Sequence, residues 1–144
     1  MKLTKEQFKN VGRIGARKSY LDLGFDLPPI VLINSSDGDV TTHTFEDVSG
    51  SDVRNKLEAL LYVNDAISYI FICKAQATEF IDRARELNDI ESLAPEDRMT
   101  ILCLSYIENN RSPENEFAEI YDEELSDWKV ENIEFLGDTL IKEW

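Results

Sequence analysis

Two apolar runs constrain the fold of this chain more than any other feature. They are Ile67-Ser68-Tyr69-Ile70-Phe71-Ile72-Cys73 and Met99-Thr100-Ile101-Leu102-Cys103-Leu104-Ser105-Tyr106-Ile107. Through their centres both are apolar at odd and even positions alike. Successive side chains of a strand point to opposite faces, so a strand with two apolar faces belongs in the middle of a sheet. Neither run approaches the roughly 20 residues needed to cross a bilayer as a helix.

Further elements group around this pair. Ile30-Val31-Leu32-Ile33 follows Pro28-Pro29 and reads as a buried strand. Asp37-Gly38 then predicts a hairpin in which both turn positions tolerate positive φ, with Val40–Phe45 returning. Upstream, Thr4 is a helix cap and Lys5–Leu23 a helix, with Phe8, Val11, Ile14, Leu21 and Phe25 as its apolar stripe. Gly12 and Gly15 each weaken that helix by about 1 kcal/mol relative to Ala, or mark a close approach of another backbone. Gly24 is a helix stop. Ser49–Asp52 reads as a turn, followed by a helix over 52–65 whose stripe is Val53, Leu57, Leu60, Leu61 and Asn64. Phe80, Ile81, Ala84 and Leu87 mark a short helix after Thr78. Glu116–Tyr121 and Trp128–Ile133 read as weaker strands, and Phe135–Trp144 as a terminal helix.

These elements predict an α+β fold in one globular domain over residues 1–144. The expected sheet is predominantly antiparallel or mixed, of about five to six strands with two to three packed helices, in the order helix–hairpin–helix–strands. The layout is generally similar to that of small bacterial or phage α+β proteins.

Charge narrows the function. There are 29 acidic against 15 basic residues, a net charge of −14. Residues 1–26 sum to +3, residues 27–104 to −8 and residues 105–144 to −9. Phosphate binding needs positive charge, so neither direct nucleic-acid binding nor an anionic membrane surface is expected. The acidic C-terminal third still holds Phe117, Ile120, Trp128, Ile133 and Trp144, which argues for a folded segment with an acidic exterior. The N-terminus shows no apolar signal segment, and two cysteines are too few for a disulfide framework. A cytoplasmic setting is expected.

The candidate interaction surface has two parts. One is the acidic set Glu116, Glu119, Asp122, Glu123, Glu124 and Asp127, suited to a basic protein partner. The other is Lys5, Lys9, Arg13 and Arg17, an i, i+4 ladder on one helix face. That ladder is either a solvated face or a dock for acid, including the chain's own acidic C-terminal region.

Candidates for chemistry are sparse. His43 is the single histidine, and lies in a threonine-rich strand. Cys73 and Cys103 lie in the two most apolar strands, where thiols are inert. Asp37-Gly38-Asp39 fails as a calcium loop, because Ile33 and Thr44 fall where acids are required. No phosphate-loop, dinucleotide, CxxC, HExxH or GxSxG motif is present, so no cofactor, metal or catalytic set is assigned. The expected function is therefore a protein-interaction or regulatory module without catalytic activity. One alternative is a metal-independent small-molecule enzyme with a pocket lined by Tyr69, Tyr106 or Tyr121, together with Arg98 and nearby carboxylates. Another is a structural subunit of a homo-oligomer, paired for example through an exposed edge strand.

Overall fold

The computed structural model describes residues 2–46, 50–78, 86, 93–121, 124–130 and 140–144. Among the described residues the fold is α+β, with two long α-helices and a six-stranded sheet in the order β2-β1-β3-β4-β5-β6. Helix α1 is Lys5–Leu23 and α2 is Gly50–Val63. The strands are β1 Ile30–Ser35, β2 Val40–Thr44, β3 Ala66–Ala77, β4 Met99–Glu108, β5 Glu114–Tyr121 and β6 Glu124–Leu125. Every neighbouring pair is antiparallel. The two doubly apolar runs become β3 and β4, the central strands.

Alternation along these strands separates two cores. Ile30, Leu32, Ile70, Ile72, Leu102, Leu104 and Tyr106 pack with Phe8, Ala16 and Tyr20 of α1. On the other face Val31, Ile33, Tyr69, Phe71 and Ile107 pack with Val53, Leu57 and Leu61 of α2. Each helix thus supplies one of the covers that β3 requires.

Helix α1 begins and ends where its sequence signals fall. Thr4 Oγ1 accepts the Gln7 N–H at 3.2 Å and Gln7 Oε1 accepts the Thr4 N–H at 2.9 Å, a reciprocal capping box. Gly24 closes the helix at φ 60°. Of the expected stripe, Phe8 is buried, but the rest of the buried face differs. Val11, Ile14 and Leu21 are 41%, 65% and 69% exposed, while Phe8, Gly12, Ala16 and Tyr20 are buried. Small residues at the middle of an i, i+4 row let the helix axis approach the sheet, and packing there decides over the wider apolar stripe.

The two glycines of α1 differ accordingly. A Cβ on Gly12 would lie 2.8 Å from Ile70 Cδ1 and 3.3 Å from Ile70 Cγ2 and Leu104 Cδ1. The close approach is to side chains of the sheet rather than to backbone. Gly15 has nothing within 4 Å of that position. Gly15→Ala should raise unfolding stability by up to about 1 kcal/mol from helix propensity alone. Gly12→Ala should lose that gain to crowding. Urea unfolding of both variants checks this, and equal gains would show that α1 does not sit this close to Ile70.

Other expectations need correction. Only Gly38 of the hairpin turn has positive φ (94°), so the Asp37-Gly38 pair does not form the expected two-residue turn with both φ values positive. Instead Asp37 Oδ1 accepts the Asp39 N–H at 3.0 Å and also a hydrogen bond from Ser35 Oγ. Helix α2 starts at Gly50, so Gly50–Asp52 is helix rather than turn, and Asn64 lies beyond its end. The strand expected at Trp128–Ile133 is a single bridge at Lys129, with residues 131–133 outside the described ones. Leu140–Trp144 has no regular secondary structure and is not the end of a terminal helix. The helix expected after Thr78 also falls outside the described residues, apart from Glu86.

Candidate functional site

The basic ladder of α1 lies along β5. Four helical residues rise about 6 Å, and two strand residues span about 6.8 Å. Cations at i, i+4 on a helix can therefore keep step with carboxylates at i, i+2 on a strand. Glu114 and Glu116 are spaced in this way, and the ladder meets them rung by rung. Lys5 is ion-paired with Glu114, and Lys9 Nζ lies 3.3 Å from Glu114 Oε1 and 3.8 Å from Glu116 Oε2. Arg13 grips Glu116 with two hydrogen bonds, Nε to Oε1 and Nη2 to Oε2, both 2.8 Å. The next residue on that face of β5 is Ala118, and Arg17 instead donates to the Ser126 carbonyl at 2.7 Å.

This seam is buried at its centre, where Glu116 is 2% and Lys9 is 7% exposed. Tyr106 forms part of its wall. The Lys5 and Lys9 ammonium groups lie 5.4 and 5.8 Å from the ring centroid. Phe8 meets the same ring edge-on at 6.1 Å. The Tyr106 hydroxyl donates to Glu108 Oε1 at 2.7 Å. Burial, and then the carboxylate of Glu108, push this hydroxyl above the ordinary tyrosine range.

The seam also carries a pH dependence. Burial opposes ionisation of Glu114, but hydrogen bonds from Lys5 and Lys9 outweigh it and hold the carboxyl below its usual range. Hydrogen bonds to Glu114 and Glu116 raise Lys5 and Arg13 respectively, against the opposing pull of desolvation. A depressed carboxyl contributes stability above its unfolded value, near about 4.3, and loses it as pH falls through the lower folded value. The raised cations contribute fully below their unfolded values, about 10.4 for lysine, and lose that contribution only as pH rises through the higher folded ones. Stability measured by urea unfolding should therefore fall below about pH 4, and Glu114→Gln should flatten that acid limb. An unchanged acid limb in this variant would place the dependence elsewhere.

The remaining acidic candidates are distributed differently. Glu119 faces away from α1 and pairs with Lys129 at 2.9 Å. Glu124 and Asp127 are exposed, and Asp122 and Glu123 lie outside the described residues. The structure thus joins Lys9 and Arg13 to Glu116 and Lys5 to Glu114, and leaves Glu119, Glu124 and Asp127 apart from that seam. Glu114 stands outside the acidic set that the sequence proposes as an interaction surface. Its i, i+2 spacing from Glu116 in a strand was the signal that separates the two from the rest.

The residues singled out for chemistry do not converge. Tyr69 lies on the α2 face and Tyr106 on the α1 face, so they cannot line one pocket. His43 Nε2 lies 3.0 Å from Thr41 Oγ1. Burial, then the charge of Lys56, lower the His43 pKa. Cys73 and Cys103 are direct cross-strand neighbours and both are free thiols. Burial raises both, Cys103 to about 11. Among the described residues no group of three or more His, Cys, Asp or Glu is placed to hold a metal ion. Among them, too, no helix is long and apolar enough to cross a membrane. Comparison with protein-family models, curated proteins and solved structures returns no match to this chain.

Proposed function

We propose that this chain is a protein-interaction or regulatory module that engages a basic protein partner through its acidic surface. The supporting observation is the internal pairing of the α1 ladder. Lys5, Lys9 and Arg13 are met by Glu114 and Glu116, with Glu6 at 4.0 Å as the third carboxylate, so this cluster of positive charge is balanced within the fold. The large net negative charge then faces outward from other residues, among them the exposed Glu124 and Asp127. A surface of this sign draws cationic partners and repels phosphate-bearing ones.

Affinity capture at about 50 mM and about 500 mM salt tests the proposal, because exposed charges separated by more than a Debye length are screened at the higher value. The expected result is one stoichiometric basic protein held at low salt and released at high salt. Glu124→Lys/Asp127→Lys should weaken that capture. A partner retained equally at both salts, or none at either, overturns the electrostatic reading.

A further inference from the structure

The two edges of the sheet are finished differently. Beyond β5, the chain returns as β6, and Lys129 exchanges both main-chain hydrogen bonds with Phe117, at 3.0 and 2.8 Å. Beyond β2, no strand pairs among the described residues. The hydrogen bonds around the hairpin show which groups this leaves open. Ser35 N–H donates to Asp39 O and Phe45 N–H to Pro29 O, so the odd-numbered residues here bond inward to β1. In an antiparallel ladder the alternate residues turn their N–H and C=O the other way. Val40, Thr42 and Thr44 therefore present their main-chain groups outward, and Thr42 and Thr44 are exposed. Lys56 Nζ donates to the Thr44 carbonyl at 3.1 Å.

We propose that β2 is a self-pairing edge, through which a second copy of this chain extends the sheet antiparallel about Thr42. With Thr42 opposite the partner's Thr42, Val40 faces the partner's Thr44, and each of these pairs exchanges two main-chain hydrogen bonds. Three features of the molecule favour a second copy as the occupant. The strand is Val-Thr-Thr-His-Thr, with no acid, lysine or proline inside it, and Lys56 reaches it at the Thr44 end while Val40 and Thr42 lie away from that contact. In a chain of net charge −14, an acid-free strand is where two copies approach with least repulsion. The register is also self-complementary in charge. Lys56 sits at Thr44, level with the partner's Val40, and the partner's Asp39 is the next residue along. The two-fold axis repeats that cation–carboxylate match on the other side.

Analytical ultracentrifugation of the full chain over a wide concentration range tests this. The expected result is a reversible shift from 16.5 kDa towards twice that mass. Thr42→Pro removes an outward donor without touching the β1 ladder, and should hold the chain monomeric with an unchanged circular dichroism spectrum. Lys56→Glu tests the same edge without proline. It should weaken dimerisation at least tenfold, and Asp39→Lys/Lys56→Glu should restore it. A wild-type chain that stays monomeric throughout overturns the proposal. So does a dimer that survives Thr42→Pro, a failure of the double variant to recover, or a dimer abolished only by Ile14→Glu on the exposed face of α1.

Discussion

Glu116→Ala should lower unfolding stability by about 3 kcal/mol, the lower end of the range for removing one partner of a buried ion pair. The cost arises because the variant leaves cations behind. Arg13 loses both of its short hydrogen bonds, and keeps Glu6 at the longer distance of 4.0 Å. Lys9, almost fully buried, retains Glu114 at 3.3 Å, which holds the loss at the lower end. The seam is a poor source of net stability even so, because three groups were desolvated to build it. Lys9→Met/Arg13→Met/Glu116→Leu should therefore recover most of the loss, since apolar residues of similar volume need no partners. Urea unfolding at pH 7 measures all three proteins. A loss below about 1 kcal/mol in Glu116→Ala would show that water reaches the site and that the seam is not buried in solution.

Tyr69→Phe should cost about 2–4 kcal/mol, although it removes one oxygen atom. The hydroxyl donates to Ile141 O at 2.6 Å and accepts the Ile141 N–H at 2.8 Å. Two buried main-chain groups lose their partner together, at about 1–3 kcal/mol each if left dry. The same segment is held elsewhere. Asn109 accepts the Trp144 N–H at 2.9 Å and donates to Trp144 O at 2.7 Å, and Trp144 Nε1 donates to Ala66 O at 2.8 Å. The Tyr69 and Trp144 rings lie 5.5 Å apart. Lifting of residues 140–144 into water is the cheaper response, and it caps the loss. In a Trp128→Phe background, acrylamide quenching of Trp144 should rise with Tyr69→Phe. A stability change under about 0.5 kcal/mol with unchanged quenching would mean that this segment is not docked through Tyr69.

The candidate site was half legible. The i, i+4 spacing of Lys5, Lys9, Arg13 and Arg17 is a local property of a helix and can be read directly. An internal dock on the acidic C-terminal region was one of the two readings of that ladder. Which carboxylates receive it could not be read, because the partners are about 100 residues away and their placement depends on strand order. Glu114 and Glu116 face α1 because β5 follows β4 across the sheet in this register. Glu119 falls on the opposite face by the same alternation. The tyrosine pocket failed for a related reason, since Tyr69 and Tyr106 have opposite parity in paired strands.

What the sequence by itself determined is a set of local features governed by near neighbours. The capping box at Thr4 and Gln7, the stop at Gly24, the Asp37-Gly38 reversal and the doubly apolar β3 and β4 all follow from residues a few positions apart, because capping, turn and alternation energies act over that range. What only the tertiary structure decided is which of several acceptable surfaces meets which. Beyond Phe8, helix α1 has one row of Val11, Ile14 and Leu21 and another of Gly12, Ala16 and Tyr20, and hydrophobicity alone favours the first. The second is buried because Gly12 lets the helix settle against Ile70 and Leu104 while Lys9 and Arg13 reach Glu116. Close packing and paired burial of charge are properties of two surfaces together, and neither surface encodes them alone.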